Sequence, residues 1–428
     1  MYHFSRMRRA SSRARCLTGL VTAMVALPLL GVASDAHAEA APPWTIQVTR
    51  NPGSFNVLSG VSCLSARRCV AAGFETKGSK DVALPEMWNG RDWQVAIPVK
   101  GDPLLRPGDS VLSAASCPTT TRCELVGVTG NSGTLPLAAL SNGKLGIASI
   151  SSQRVAVPAG SRFAILDGVS CTSVRACTAV GFFIDAAGVH TLVERWGGFR
   201  WRIQGSGTTA GQFNAVSCSS ARFCIAVGDH GSSGQAEFVG VWNGDSWLFP
   251  LGSNFNGATS ARLNGVSCTA DGSCVMVGNT SGPNGSTGTF ALALKWIRGQ
   301  FFLLKTTNPS ATVNELNSVS CTSPGNCLAV GEFQDFRGQQ DTLAETWDGA
   351  SWAFEATPNP VGILPGLTGV SCSAPGACTA VGSFKTFGGK TRTLAERFAS
   401  ATSRPALGFS GGRTAGGSKA SWKGRRPR

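Results

Sequence analysis

Between residues 43 and 399 the chain is written in short apolar runs, most of them four to eight residues long. Glycine, asparagine, serine and proline punctuate them. Strict or near alternation within the runs predicts strands, and no helical period of useful length appears after residue 38. One unit recurs. Leu367-Thr-Gly-Val-Ser-Cys372 is followed by five residues and then by Cys378-Thr-Ala-Val-Gly382. The unit returns seven times, with successive first cysteines 54, 54, 47, 50, 53 and 51 residues apart. A period near fifty marks a repeat architecture, in which each unit buries its apolar face against its neighbours.

Four strands are predicted in each repeat. In the sixth they cover 316–321, 327–331, 342–347 and 351–355. The first two form a hairpin in which Cys321 and Cys327 face each other across the ladder. The recurring serine before each first cysteine and the glycine four residues after each second one suit a close approach of sheet on sheet. The last two strands form a second hairpin with aromatic ends, as in Trp347-Asp-Gly-Ala-Ser-Trp352 and Trp88-Asn-Gly-Arg-Asp-Trp93. Asn-Gly and Asp-Gly supply the positive φ that a tight hairpin turn requires. Repeat two keeps only such a turn, after Ser141. Repeat seven ends at Phe398 without a fourth strand, while Pro43-Trp44-Thr-Ile-Gln-Val48 reads as one. The expectation is a closed ring: an all-β, seven-bladed β-propeller of four-stranded blades over residues 39–402, its N-terminal strand completing the last blade.

The fifteen cysteines sharpen this picture. Cys16 lies in a segment, residues 1–38, that reads as a signal peptide: arginines, an apolar stretch from Leu17 to Val32, and the small-residue site Ala36-His37-Ala38. The other fourteen fall in pairs: Cys63/Cys69, Cys117/Cys123, Cys171/Cys177, Cys218/Cys224, Cys268/Cys274, Cys321/Cys327 and Cys372/Cys378. Even, regular cysteines in an exported chain predict one hairpin disulfide per blade. Structural zinc uses closer spacing, and no recurring histidine accompanies these pairs.

The net charge of +14 is unevenly placed. Residues 1–38 carry +4 and residues 403–428 carry +7, so the folded body carries only +3. The charge is therefore no argument for nucleic acid. The Gly/Ser/Arg-rich tail 403–428 is expected to be disordered, with adhesion to an anionic envelope polymer as its alternative role. After the signal segment no apolar run is long enough to span a membrane. A monomer, secreted or held at the cell envelope, is expected.

The Gly-Val-Ser-Cys, Cys-x-Ala-Val-Gly and Trp-Asp/Asn-Gly-x-Ser-Trp motifs resemble the secreted β-propeller repeats of actinobacterial exported proteins, themselves similar to Asp-box propellers. The resemblance covers residues 42–399. It implies the propeller fold and no particular activity. Asp348 and Gly349 are adjacent, whereas an Asp-box separates them by one residue, so sialidase chemistry does not come with the likeness.

Residue chemistry narrows the function classes. Tyr2 is the only tyrosine, which leaves the body without a tyrosine nucleophile or ligand. His190 and His230 are the only histidines beyond residue 38, read here as lying in equivalent loops of neighbouring blades. No metal site, cofactor or catalytic set emerges. Glu86, Glu194, Glu345 and Glu396 each precede a third-strand aromatic by two and read as a repeated structural contact. Variable loops carry function on rigid scaffolds. The loops between strands two and three and between blades are the variable ones, and they emerge on one face. The candidate ligand-binding residues there are Phe183, Asp185, His190, Asp229, His230, Glu332, Phe333, Asp335, Phe336, Arg337, Phe384, Lys385, Phe387 and Lys390. Mixed aromatic and charged groups suit a glycan or a protein partner. The expectation is a non-catalytic binding or scaffold propeller; a glycan-active hydrolase or lyase using loop carboxylates is the alternative.

Overall fold

The computed structural model describes residues 43–98, 102, 110–130, 135–141, 149–205, 210–230, 237–250, 260–281 and 288–399. The signal segment 1–38, the tail 403–428 and the turn after Ser141 lie outside the described residues. Four-stranded antiparallel sheets follow one another around a ring. Blade six is Asn314–Ser323, Asn326–Gln334, Gln340–Trp347 and Trp352–Glu355, running outward from the ring axis. The first two strands are longer than the sequence pattern suggested, because the ladder continues into polar residues toward the variable face. Blade one adds the short strand Lys80–Ala83. Blade two adds Ile97–Pro98, parallel to Ser149–Gln153.

Ring closure is as expected. Trp44–Gln47 pairs antiparallel with the third strand of blade seven, Thr391–Ala399, with Trp44 opposite Phe398. Trp44 is buried, its ring 5.1 Å from that of Phe398. Blades seven and one also join where Phe55 pairs parallel with Thr391.

Within a blade the sequence motifs line up in one row. Cys321 faces Cys327, Cys327 faces Trp347, and Trp347 faces Trp352. All seven hairpins carry the expected disulfide: Cys63–Cys69, Cys117–Cys123, Cys171–Cys177, Cys218–Cys224, Cys268–Cys274, Cys321–Cys327 and Cys372–Cys378. Their Cα atoms lie 3.9–4.0 Å apart. Closing so short a loop contributes roughly 2 kcal/mol in the chain-entropy model. The tryptophans are direct cross-strand partners, with tilted rings 5.5–5.9 Å apart in blades one, three, four and six. Such pairs add about 0.5–1.5 kcal/mol beyond their burial.

The pairing was legible in the sequence; the depth of the second cysteine was not. Cys69, Cys177, Cys224 and Cys274 are 0–1 % exposed, and Cys123, Cys327 and Cys378 are buried as well. Cys177 packs in one core cluster with Val126, Leu166 and Trp196, Cys224 with Val180, Phe213 and Trp242, and Cys274 with Ile225, Leu263 and Trp296. Each cluster spans two neighbouring blades, so the second cysteine fills the interface between sheets as a small apolar group. The disulfide expectation holds, and the second cysteine has a packing role beside it. The second cysteines are also core.

The recurring serine does more than let sheets approach. Its Oγ accepts the backbone N–H of the first cysteine in the next blade: Ser62 from Cys117, Ser116 from Cys171, Ser170 from Cys218, Ser217 from Cys268, Ser267 from Cys321, Ser320 from Cys372, and Ser371 from Cys63. These contacts are 2.9–3.0 Å long and form a belt that closes on itself. The recurring glycine serves its own blade instead. A β-carbon on Gly331 would lie 1.9 Å from the Glu315 carbonyl oxygen, because the inner strand bulges there. Close approach between blades falls to the motif's first glycine. A β-carbon on Gly369 would lie 2.9 Å from the Gly60 Cα.

Candidate functional site

The bulge in each inner strand pushes one residue toward the ring axis. The seven are Ser59, Ser113, Asp167, Asn214, Asn264, Asn317 and Thr368, each four residues before a first cysteine. They line an axial cavity of about 210 Å³. Asn214 donates to the Leu263 carbonyl, Asn264 to Leu316, Asn317 to Leu367, and Thr368 to Leu58, so these side chains also tie each blade to the next. Asp167 cannot donate when ionised. Burial away from bulk water pushes its pKa up to about 7, against the pull of Arg262. This polar ring was readable as an invariably polar position, yet the sequence pattern alone gave it no direction.

The candidate loop residues separate into three groups. Blade three forms a self-contained turn. His190 Nε2 lies 2.8 Å from Asp185 Oδ1, which also accepts the N–H groups of Ala187 and Gly188, and Phe183 stacks on the imidazole at 4.8 Å. The His190 hydrogen bond, first, and those backbone donors hold the Asp185 carboxyl below its ordinary range. His190 belongs to the third strand, Val189–Trp196, and pairs with Phe183. His230 follows the second strand of blade four, Phe223–Asp229, and meets the edge of Phe238. The two histidines therefore do not occupy equivalent loop positions. Strand two of blade three runs on to Ile184, which places Phe183 where His230 would correspond.

The second group is structural in its contacts. Phe333 meets Phe354 edge to face and packs on the core between blades five and six, and Phe384 packs on the core between blades six and seven. Glu86, Glu194, Glu345 and Glu396 are fully buried. Glu345 accepts from the Thr307 hydroxyl and N–H, and Glu86 from the Arg50 N–H. The residue before Asn-Pro in the incoming linker thus caps the glutamate. Ahead of blade seven that residue is Pro358, which has no N–H, and neither carboxyl oxygen of Glu396 has a hydrogen-bond partner. The same holds for Glu194. Burial raises the pKa of both to about 8.

The third group is presented to solvent. The turns Asp335–Gln339 and Thr386–Lys390 are built alike in adjacent blades. Asp335 and Thr386 each donate their N–H across the turn, and Gly338 and Gly389 sit at φ 78° and 80°. Asp335 Oδ1 holds the first turn by accepting from the N–H groups of Arg337 and Gln339. Each turn projects a phenylalanine at the same place: Phe336 is 91 % exposed and Phe387 76 %. Arg337 lies over the Phe336 ring at 5.1 Å, and Lys385 and Lys390 are exposed beside Phe387 in sequence. In the linker between these blades Val361 is 87 % exposed and Leu364 55 %.

One further arrangement concerns the two innermost strands where they reach the variable face. The paired residues are Val57/Phe74, Val111/Val128 and Ile165/Phe182 in blades one to three. They become Gln212/Asp229, Arg262/Asn279 and Glu315/Glu332 in blades four to six. Glu332 has its pKa raised to about 7, first by burial and then by Glu315. Asp229 is buried and accepts from Gln212 Nε2 at 3.0 Å and Arg262 Nε at 3.2 Å. Among the described residues no three His, Cys, Asp or Glu side chains converge as a metal would need. No described helix is long and apolar enough to cross a membrane.

No protein-family model matches the sequence, and no curated protein sequence matches it. Its architecture is similar to solved propellers. A structure of YCF48 bound to D1 peptide aligns at TM-score 0.50 and 15% identity, over 84% of this chain and 98% of the other. An ulvan lyase bound to a GlcA–Rha3S saccharide aligns at 0.50 and 9%, over 80% and 94%. The polysaccharide lyase Uly1 aligns at 0.50 and 10%, over 81% and 90%. At these identities the likeness concerns fold, and this chain is a seven-bladed β-propeller distantly similar to them.

Proposed function

We propose that this is an exported binding propeller, acting outside the cell or at its envelope, that holds a glycan or protein ligand on its variable-loop face. One observation carries the reading: Phe336 and Phe387 stand exposed at matching turns of adjacent blades, with Arg337, Lys385 and Lys390 close by in the chain. Exposed rings beside basic side chains on the variable loops suit a place where a partner docks. Aromatic and arginine side chains are also the commonest anchors of binding energy. The seven disulfides suit an oxidising compartment. In this reading residues 1–38 direct export, and the basic tail 403–428 adds attraction to anionic envelope polymers. That similar folds occur with peptide and saccharide ligands is compatible with either ligand class.

The test is a glycan array and an envelope-fraction pull-down, run in parallel on the parent and on Phe336→Ala/Phe387→Ala. The double variant should lose at least about tenfold in affinity, the scale of truncating an interface anchor. Equal binding by both proteins would refute the aromatic turns as the site.

A second reading, a glycan-active hydrolase or lyase, is favoured by the cross-strand pair Glu315 and Glu332. Burial raises the Glu332 pKa to about 7, which suits that carboxyl to hold and give a proton beside a second carboxyl. If this holds, an array glycan is cleaved by the parent and left intact by Glu332→Gln. Binding without cleavage supports the first reading.

A further inference from the structure

The aromatic turns of blades six and seven leave the other side of the ring unexplained. Between blades four and five a cleft of about 340 Å³ opens at the variable face. Its size is within the range of small-molecule sites, roughly 300–1,000 Å³. Blade four supplies Gln212 and Asp229, and blade five supplies Arg262, Asn279, Thr280 and Ser281. We infer that this cleft is a binding site for a neutral sugar residue, recognised through its hydroxyl groups.

The charge balance of the cleft selects a neutral ligand. Asp229 and Arg262 form an ion pair at 3.2 Å, and Gln212 and Asn214 bond the same carboxylate oxygen at 3.0 and 3.5 Å. An acidic ligand would compete with Asp229 for the guanidinium, and a cation would compete with Arg262 for the carboxylate. The Arg262 side chain is 53 % exposed, so part of its planar set of donors faces the cleft. Asn279 contributes the opposite character. Its Oδ1 is a buried acceptor that no protein group satisfies. Such an oxygen costs about 1–3 kcal/mol where it has no partner, and a ligand hydroxyl that reached it would relieve that cost. A donor and an unpartnered acceptor facing each other across the ladder match a hydroxyl, which both gives and receives a hydrogen bond. The described residues lining the cleft are polar or small, and what they offer a ligand is hydrogen bonds.

The repeat supplies an independent argument. Where blade five has Arg262 and Asn279, blade two has Val111 and Val128. The scaffold therefore tolerates an apolar pair, and the polar set of blades four and five is not something the fold requires.

Saturation-transfer NMR and calorimetry on the full-length protein would use D-mannose, D-galactose, N-acetyl-D-glucosamine and their β-linked disaccharides, with D-glucuronate as the acidic control. At least one neutral sugar should bind. Asn279→Val, which copies the residue of blade two, should weaken it by about tenfold or more, the effect of one lost hydrogen bond to a polar site. Asp229→Asn, nearly identical in shape, should also weaken binding by releasing Arg262 from its position. Asn279→Val should keep the parent's melting temperature, and Phe336→Ala/Phe387→Ala should bind the sugar like the parent. Absence of binding by every neutral sugar, binding that Asn279→Val leaves unchanged, or a preference for glucuronate would each overturn the inference. Because the aromatic turns are tested by other variants, either site stands or falls without the other.

Discussion

Removing residues 39–50 should destabilise the whole ring and make the protein self-associate, although no cysteine is touched. The strand Trp44–Gln47 supplies the outer edge of blade seven, and its loss leaves Thr391–Ala399 with unpaired backbone groups. Open edges of this kind template aggregation. The segment that follows is also a seam between blades. Thr393 donates its N–H to Asn51 Oδ1 and its hydroxyl to Thr49. Arg50 donates its backbone N–H to Glu86 and its side-chain Nε to the Trp93 carbonyl, while Trp93 donates to Gln47. Trp44→Ala alone should cost roughly 3–5 kcal/mol, the range for truncating a buried aromatic. Thermal melts and light scattering of the truncated protein decide the matter. A monomer with the parent's melting temperature would contradict ring closure as a source of stability.

A second large effect should appear as the pH is raised from 5 to 9. Glu194 and Glu396 have their pKa values raised by burial from 4.5 to about 8. A carboxyl with a raised folded-state pKa contributes stability that is complete below 4.5 and is lost as the pH rises through 8. Between those values the folded state holds a proton that the unfolded chain releases. Each pH unit across that interval costs about 1.4 kcal/mol per carboxyl, so the two together withdraw several kcal/mol by pH 9. Glu86, raised to about 7, acts in the same direction over a narrower window. Urea unfolding at pH 5 and pH 9 should show the parent markedly weaker at the higher pH. Glu194→Gln/Glu396→Gln should lose markedly less stability than the parent between pH 5 and pH 9, the remaining loss falling on Glu86, Asp167 and Glu332. An equal pH dependence in parent and variant would rule these carboxyls out as its origin.

The chain announced its architecture through local chemistry. Cysteines six apart, tryptophans flanking an Asn-Gly or Asp-Gly turn, and a seventh repeat short of one strand all act within a hairpin, and each was legible. What joins one hairpin to the next was not. Ser320 accepts from Cys372 and Asn264 bonds the Leu316 carbonyl, partners about fifty residues apart that no local pattern pairs. The packing of Cys177, Cys224 and Cys274 between sheets belongs to the same class, since spacing pairs a cysteine but does not say which face of the blade its neighbour covers. The glutamates were readable as a repeated contact, but Pro358 as the reason Glu396 lacks a partner required the linker to be placed. In the candidate site, Phe336 and Phe387 were legible because they sit at turn tips. Phe333 and Phe384 looked the same in sequence. They proved to be packing residues because the second strands run further outward than their apolar cores, which turns these rings back toward the blades.

Ring closure also has an order in time. A ribosome makes the closing strand first and its partner last, and the contact between Thr49 and Thr393 spans 344 residues. Each disulfide joins cysteines six residues apart, so pairing is local, whereas the cores between blades and the ring itself wait for the neighbouring blade. The entropy of joining distant ends grows only slowly with length, about 0.6 kcal/mol per doubling, so the wait adds little to the final cost. It does mean that every unfinished chain keeps an open edge at both ends of its array. A complete molecule is the first length at which that edge disappears, which gives proteases and chaperones a physical signal separating finished chains from fragments.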